Sequence, residues 1–277
     1  MKVTRQFSRV HTAASPFFTS AEREKLGIED SYGGIAGTLS PSSIEQILIA
    51  LKLDPLVDTF CDMGSGTGVV TLAAAAICVK SEGFEIDSVV WLGSVEITRR
   101  LGRVEGLLKA EAKFYRGDLL KIEALNATAL YSFTGYSKMT YAAACLAAST
   151  GLLFLQSMSP SVTPLPRSRI CSPLTEARPD AGPDPEPDPV GAPVPMHPTT
   201  FSAPASKAVP CRFVRLAIVA VHPEDLYKCG LVAGGDSDFE TFKVKMPAGN
   251  AYDALVVPMT EDRCKRVLST RSRRRRR

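Results

Sequence analysis

The chain has 277 residues, room for one large domain or two small ones. Apolar residues make up 45% and charged residues 22%, close to the averages of globular chains, which argues against a wholly disordered protein and against a fibre. The net charge of +4 hides an asymmetry: residues 263–277 hold nine basic side chains and no acid, so the body before them is mildly acidic. The seven cysteines are scattered without a C-x-x-C pair, and His11, His197 and His222 lie far apart, which speaks against a zinc site with closely spaced ligands. A chain of this length needs no disulfide framework, and no secretory signal peptide is visible, so a reducing intracellular compartment is expected.

Residues 1–29 read as a flexible segment. The first 21 hold Lys2, Arg5 and Arg9 and no acid, a composition that suits a mitochondrial targeting segment and equally a disordered N-terminus. From Ser40 the chain alternates helix and strand. Ser40 is an N-cap, Pro41 suits the first helical position, and Ile44, Ile47, Leu48 and Leu51 share a helical face. The pattern predicts a strand over Thr59–Met63, an alanine-rich helix over Val69–Lys80, a strand over Val89–Glu96 and a helix over Ile97–Glu111. A short strand over Lys113–Arg116 and another over Ala129–Phe133 follow. No charge occurs from Met139 to Pro166, but only Tyr141–Leu155 is mainly apolar, short of a membrane span. That stretch reads as a helix near Met139–Ala148, a turn, and a buried strand over Gly151–Gln156. Strands separated by helices imply a doubly wound, mainly parallel sheet.

The next boundary is marked by proline: fourteen of the twenty lie between Pro160 and Pro210. Proline lacks the amide donor and fixes φ, so 157–210 reads as an extended, disordered linker or insertion. Residues 211–260 then supply a strand over Arg212–Val221 and a hairpin of Phe239–Met246 and Ala251–Met259. An antiparallel hairpin closing a mainly parallel sheet is the ending expected of a methyltransferase-type, Rossmann-like α/β fold. Residues 261–277 form a basic tail. Arg271–Arg277 repel one another and do not fold alone; such a run suits phosphate binding or nuclear localisation.

The most informative run is Phe60-Cys-Asp-Met-Gly-Ser-Gly-Thr-Gly68. An apolar strand ends near Asp62, Gly64, Gly66 and Gly68 alternate, with Ser65 between the first two, and a helix follows. Glycines there let backbone approach a ligand, and a helix N-terminus offers free amides. The spacing is neither G-x-G-x-x-G nor a phosphate loop. An acid two residues before the first glycine favours a cationic ligand bearing an amino acid, and S-adenosyl-L-methionine is such a ligand. Glu96, placed at the end of the next strand, is expected to take the ribose hydroxyls, with Ser81–Asp87 as an insertion before it. Asp118 is expected to accept from the adenine amino group, with Leu119 against the ring.

The order Tyr32-Gly-Gly, Ser40-Pro-Ser-Ser-Ile-Glu-Gln-Ile-Leu48, Asp62-Met-Gly-Ser-Gly-Thr-Gly68, Val95-Glu96, Arg116-Gly-Asp-Leu119 resembles the disruptor-of-telomeric-silencing family of histone H3 lysine methyltransferases, which lack a SET domain. The resemblance covers residues 30–156 and, more loosely, the hairpin. It departs at Gly34, where that family carries glutamate, and at Tyr131-Ser-Phe-Thr-Gly135, where it often carries an asparagine pair. It implies a class I methyltransferase core over 30–156, S-adenosyl-L-methionine as cofactor, histone H3 or the nucleosome as partner, and a nuclear location. Tyr32, Tyr131 and Phe133 are then the candidate walls of a lysine channel. An RNA or small-molecule methyltransferase, or a non-catalytic binding module, shares the same fold.

Overall fold

The computed structural model describes residues 39–77, 80–101, 108, 110–134, 137–157, 213–246 and 249–275. The N-terminal segment 1–29, Tyr32, and nearly all of the proline-rich stretch lie outside the described residues.

Helix α1 (Pro41–Ala50) starts as expected, with Ser40 accepting from the Ser43 amide and Pro41 at the first position. It buries Ile44, Ile47 and Leu48. β1 (Thr59–Met63) leads through the glycine loop into α2 (Val69–Ala76), whose residues are all buried. β2 is Lys80–Glu85, α3 is Ser88–Leu101 and β3 is Ala112–Arg116. A 3-10 turn over Leu119–Lys121 precedes β4 (Ala129–Phe133) and α4 (Ser137–Ser157). Then come β5 (Arg215–Val219), α5 (Pro223–Lys228), β6 (Glu240–Lys245), β7 (Ala251–Pro258) and α6 (Glu261–Arg275).

The strands form one seven-stranded sheet in the order β3-β2-β1-β4-β5-β7-β6. β3, β2, β1, β4 and β5 are parallel, while β7 runs antiparallel to both β5 and β6. The fold is therefore α/β, doubly wound and mainly parallel, with a C-terminal antiparallel hairpin. The segments on either side of the proline-rich stretch share this sheet, because β4 pairs with β5 from Ala129↔Arg215 to Phe133↔Val219. One apolar layer packs α1 and α2 on β1, β4 and the hairpin; the other packs α4, α5 and α6 on the opposite face.

Four expectations need correction. The strand expected over Val89–Glu96 is the body of helix α3, and the supposed insertion contains β2. The Val-Val-Trp-Leu run resembles a strand locally, but Ser94, Ile97 and Leu101 are buried together, a helical spacing. Asp87 accepts from the Val89 and Val90 amides and so caps the helix. β2 carries Lys80, Glu82 and Glu85, yet Ser81 and Gly83 are buried, the alternation of a strand. Of the helix expected over Ile97–Glu111, the part up to Leu101 is helical and 102–107 lie outside the described residues. Gly151–Gln156 continues helix α4 and is not a strand. Gly151 is where α4 meets α6: an added Cβ would stand 2.8 Å from Cys264 Sγ and 3.2 Å from Met259 Cβ. Lys138–Ser157 is long and apolar enough to cross a membrane by length and composition alone, but half of it is buried, with Ala143–Ala148 in the core.

The fourth correction concerns the basic tail. Residues 261–275 are helical, and α6 buries Arg263, Cys264 and Val267 against the core. Arg263 is 1% exposed. Its Nε donates to Leu231 O at 2.8 Å, and its guanidinium donates to Pro258 O and to Asp238 at 2.5 and 3.1 Å. Arg266 donates to Asp236 at 2.7 Å and to Gly230 O at 3.0 Å. Lys265 pairs with Glu261 at 2.6 Å. Tertiary acids thus neutralise part of the charge run that repels itself in isolation. Removing residues 271–277 is expected to shift Tm by under about 2 °C, whereas removing 261–277 strips core side chains and lowers Tm by at least about 10 °C. Thermal unfolding of the two truncated proteins checks this contrast.

Candidate functional site

Parallel strands bring their carboxyl ends to one edge, and the candidate site is built there. After Met63 the chain must turn from strand into helix within five residues. Gly64, Gly66 and Gly68 make that turn with φ of 85°, 55° and 84°, all left-handed, where side chains bearing a Cβ are strained. The loop amides of Gly64 and Ser65 donate to Phe84 O at 2.9 and 2.8 Å, which ties the loop to β2. Among the described residues nothing lies within 4 Å of a Cβ built at Gly64 or Gly66, so these residues leave the space above the first two glycines open. Gly68 is different: a Cβ there would collide with the Phe114 ring.

Asp62 lies beneath the loop, 1% exposed. Its Oδ2 accepts from Thr71 Oγ1 at 3.1 Å, while Oδ1 and the nearby Ser65 Oγ are buried without a hydrogen-bond partner among the described residues. Burial pushes the Asp62 carboxyl up to about 7; the Thr71 hydrogen bond opposes that shift and the Glu85 charge adds to it. A buried carboxylate oxygen without a donor is costly and calls for a cation or a donor.

Glu85, the last residue of β2, was missed by sequence reasoning. Its Oε2 accepts from the Gly66 amide at 2.9 Å, and its Oε1 accepts from Ile86 and Asp87 at 2.8 and 3.0 Å. The signal was available: an acid about twenty residues after the glycines, in a segment alternating buried and exposed positions. Glu96 sits on α3 instead of at a strand end, its carboxylate 2.8 Å from the Arg99 guanidinium. The structure does not bring Glu96 to the loop; Glu85 occupies the place assigned to it.

Asp118 and Leu119 follow β3, as expected. Asp118 lies 3.9 Å from Lys121, and Leu119 packs against the core from the 3-10 turn. Tyr131 is only 3% exposed and stacks on Phe60 with ring centroids 6.4 Å apart. Burial and the Asp62 charge raise its phenol well above the usual value. The register Asp62↔Tyr131 explains this: a central-strand residue facing α1 and α2 goes into the core rather than a channel. Phe133 lies two residues further along, at the carboxyl edge, half-buried and edge-on to Tyr252 at 5.5 Å. Ser132 and Thr134 are buried and spend their hydroxyls on Met63 O and Val219 O. Tyr32 lies outside the described residues, and Tyr252 had no local signal.

The strand order with its antiparallel closing hairpin is that of the class I methyltransferase fold. Solved structures resemble this chain at low identity. Magnesium protoporphyrin IX methyltransferase from Synechocystis with bound S-adenosylmethionine has 11% identity over 91% of this chain and 97% of that one, with a TM-score of 0.44. A putative RNA methyltransferase from Pyrococcus horikoshii has 11% identity over 86% and 96%, with a TM-score of 0.43. TrmN from Thermus thermophilus has 12% identity over 78% of this chain, which spans 47% of TrmN's length, with a TM-score of 0.42. No family model matches the chain, and no curated protein matches it in sequence.

Asp62 makes stability pH-dependent in a defined direction. Its carboxyl rises from 3.8 to about 7, so between those values the native state holds a proton that the unfolded chain has released. That group's contribution falls as pH rises from about 4 to about 7 and is flat above. Asp62→Asn keeps an acceptor for Thr71 and does not titrate. Wild type is expected to lose stability relative to Asp62→Asn between pH 4.5 and 7.5, measured by urea unfolding at both pH values. A constant difference would show that Asp62 does not titrate in that range.

Proposed function

We propose that the protein is an S-adenosyl-L-methionine-dependent methyltransferase. The observation that carries this reading is the carboxyl edge of β1 and β2: open left-handed glycines above a buried carboxylate oxygen with no partner among the described residues. The residues fit the cofactor. The loop at Gly64 and Gly66 leaves room for its amino-acid portion, and Asp62 offers a counter-charge to its cationic groups. Glu85 is placed for the ribose hydroxyls, exchanging its bond to the Gly66 amide for them. Asp118 and Leu119 stand for the adenine amino group and ring.

The bound cofactor supplies an electrophilic methyl group on a sulfonium. This chemistry rests on alignment and exclusion of water. Phe133 and Tyr252 offer an apolar wall where the acceptor would approach, and no general base is assigned.

The finer reading is a protein lysine N-methyltransferase acting on histone H3 in the nucleosome, in the nucleus. It rests on the resemblance over residues 30–156. Arg271 and the arginines that follow it would meet nucleic-acid phosphates, since Arg263, Lys265 and Arg266 are engaged with acids of the fold. Methyl transfer offered nucleosomes, free histones, total RNA and small-molecule extracts side by side tests the acceptor; label on RNA or small molecules alone overturns the histone reading.

For the cofactor, Glu85→Ala is expected to weaken S-adenosylhomocysteine binding at least tenfold, as loss of charge-assisted hydrogen bonds of about 1.5–3 kcal/mol requires. Glu96→Ala should leave it unchanged. Calorimetric titration of both variants checks this, and equal effects would misplace the ribose site.

A further inference from the structure

The alternating glycines do not all serve the same purpose. Gly64 and Gly66 look onto open space, whereas Gly68 and Gly83 are closed off by protein. A Cβ on Gly68 would meet Phe114 Cε1 at 2.5 Å, and one on Gly83 would meet Phe114 Cδ1 and Cε1 at 2.9 Å. The same Gly83 position would meet Ser65 Cβ at 2.8 Å. One ring therefore lies across the backbone of two glycines, one at the N-cap of α2 and one in the middle of β2, beside the serine of the loop.

We infer that Phe114 is a positioning residue for the cofactor site, holding the glycine loop and the start of α2 at their distance from β2. The inference rests on the cofactor reading above and adds to it a residue that touches no cofactor.

Three features set the wedge. Phe114 is paired in register with Gly83 on the neighbouring parallel strand, so its ring is delivered directly over the strand that carries Glu85. The Trp91 indole of α3 donates to Phe114 O at 3.1 Å, which holds that part of β3 in place. Ser94 Cβ lies 3.4 Å from where a Gly68 Cβ would be, so α3 closes the remaining side. With Gly68 N donating to Ser65 O at 2.8 Å and Leu72 N to Gly68 O at 2.9 Å, any shift of Gly68 moves both the loop and the helix amides behind it. Two glycines with no space for a Cβ and one large ring are volume-matched: enlarging one side requires shrinking the other.

The test uses the full chain and S-adenosylhomocysteine. Phe114→Ala is expected to weaken its binding at least tenfold, measured by calorimetry at a temperature where the variant is folded. Phe114→Leu should lose less. Gly83→Ala should also weaken binding, and adding Phe114→Ala should relieve only the ring's part of that clash, because Ser65 Cβ still stands 2.8 Å from the added Cβ. Leu101→Ala, in the same apolar cluster but away from the loop, is the control: it should lower Tm without changing affinity. If Phe114→Ala does not fold, the Phe114→Leu and Gly83→Ala comparison decides. Wild-type affinity in the folded Phe114 variants, or equal loss in Leu101→Ala, overturns the inference. Failure of the wild-type protein to bind S-adenosylhomocysteine overturns the cofactor reading instead.

Discussion

The parallel strands end on one carboxyl edge, and there β1 must turn into α2 within five residues. The chain passes from Met63 to Val69 through three left-handed glycines, over a ring from β3 and under the backbone of β2. That constraint brings the amides of Gly64 and Ser65 to Phe84 O and the amide of Gly66 to Glu85. The same turn leaves Asp62 buried beneath the loop with one oxygen that has no partner among the described residues. The chemistry ascribed to the site is a consequence of how this corner is packed.

The rest of the sheet supports that corner from a distance. β4 pairs with β1 on one side and with β5 on the other, so the segment after the proline-rich stretch completes the layer on which the loop sits. A buried ion pair anchors the far end: Arg215 reaches Asp58, which also accepts from Thr128 Oγ1 at 2.7 Å. Arg263 performs a similar task on the opposite face, drawing α6 onto Asp236 and Asp238. Removing Arg215 would leave Asp58 its bonds from Asp54 N and Thr128 Oγ1 but no cation, and removing Arg263 would take the guanidinium away from Leu231 O, Pro258 O and Asp238; both changes are costly in a low-dielectric interior.

Much of the site was legible because its signals are local. Ser40 and Pro41 define a helix start within three residues, and the alternating glycines after an apolar strand define the ligand loop. Glu96 was misplaced because Val-Val-Trp-Leu has the composition of a strand, while the true strand, Lys-Ser-Glu-Gly-Phe-Glu, is polar and hides its alternation. Burial of Ser81 and Gly83 comes from the strands on either side of β2 and from α2, not from the segment's own hydropathy. Tyr131 looked like a site aromatic by position, yet register with Asp62 turns it into the core.

The sequence by itself determined the alternating α/β layout, the closing hairpin, the glycine loop and the acid before it, since each is written in local spacing and turn residues. Only the tertiary structure decided that Glu85 and not Glu96 stands at the loop, and that Gly68 answers to Phe114 rather than to open space. It also decided that the basic C-terminal run folds as a helix around a buried Arg263. These outcomes depend on partners far away in the chain, such as Gly83 with Phe114 or Arg263 with Asp238. Strand register and the pairing of buried charge are settled only when those partners meet.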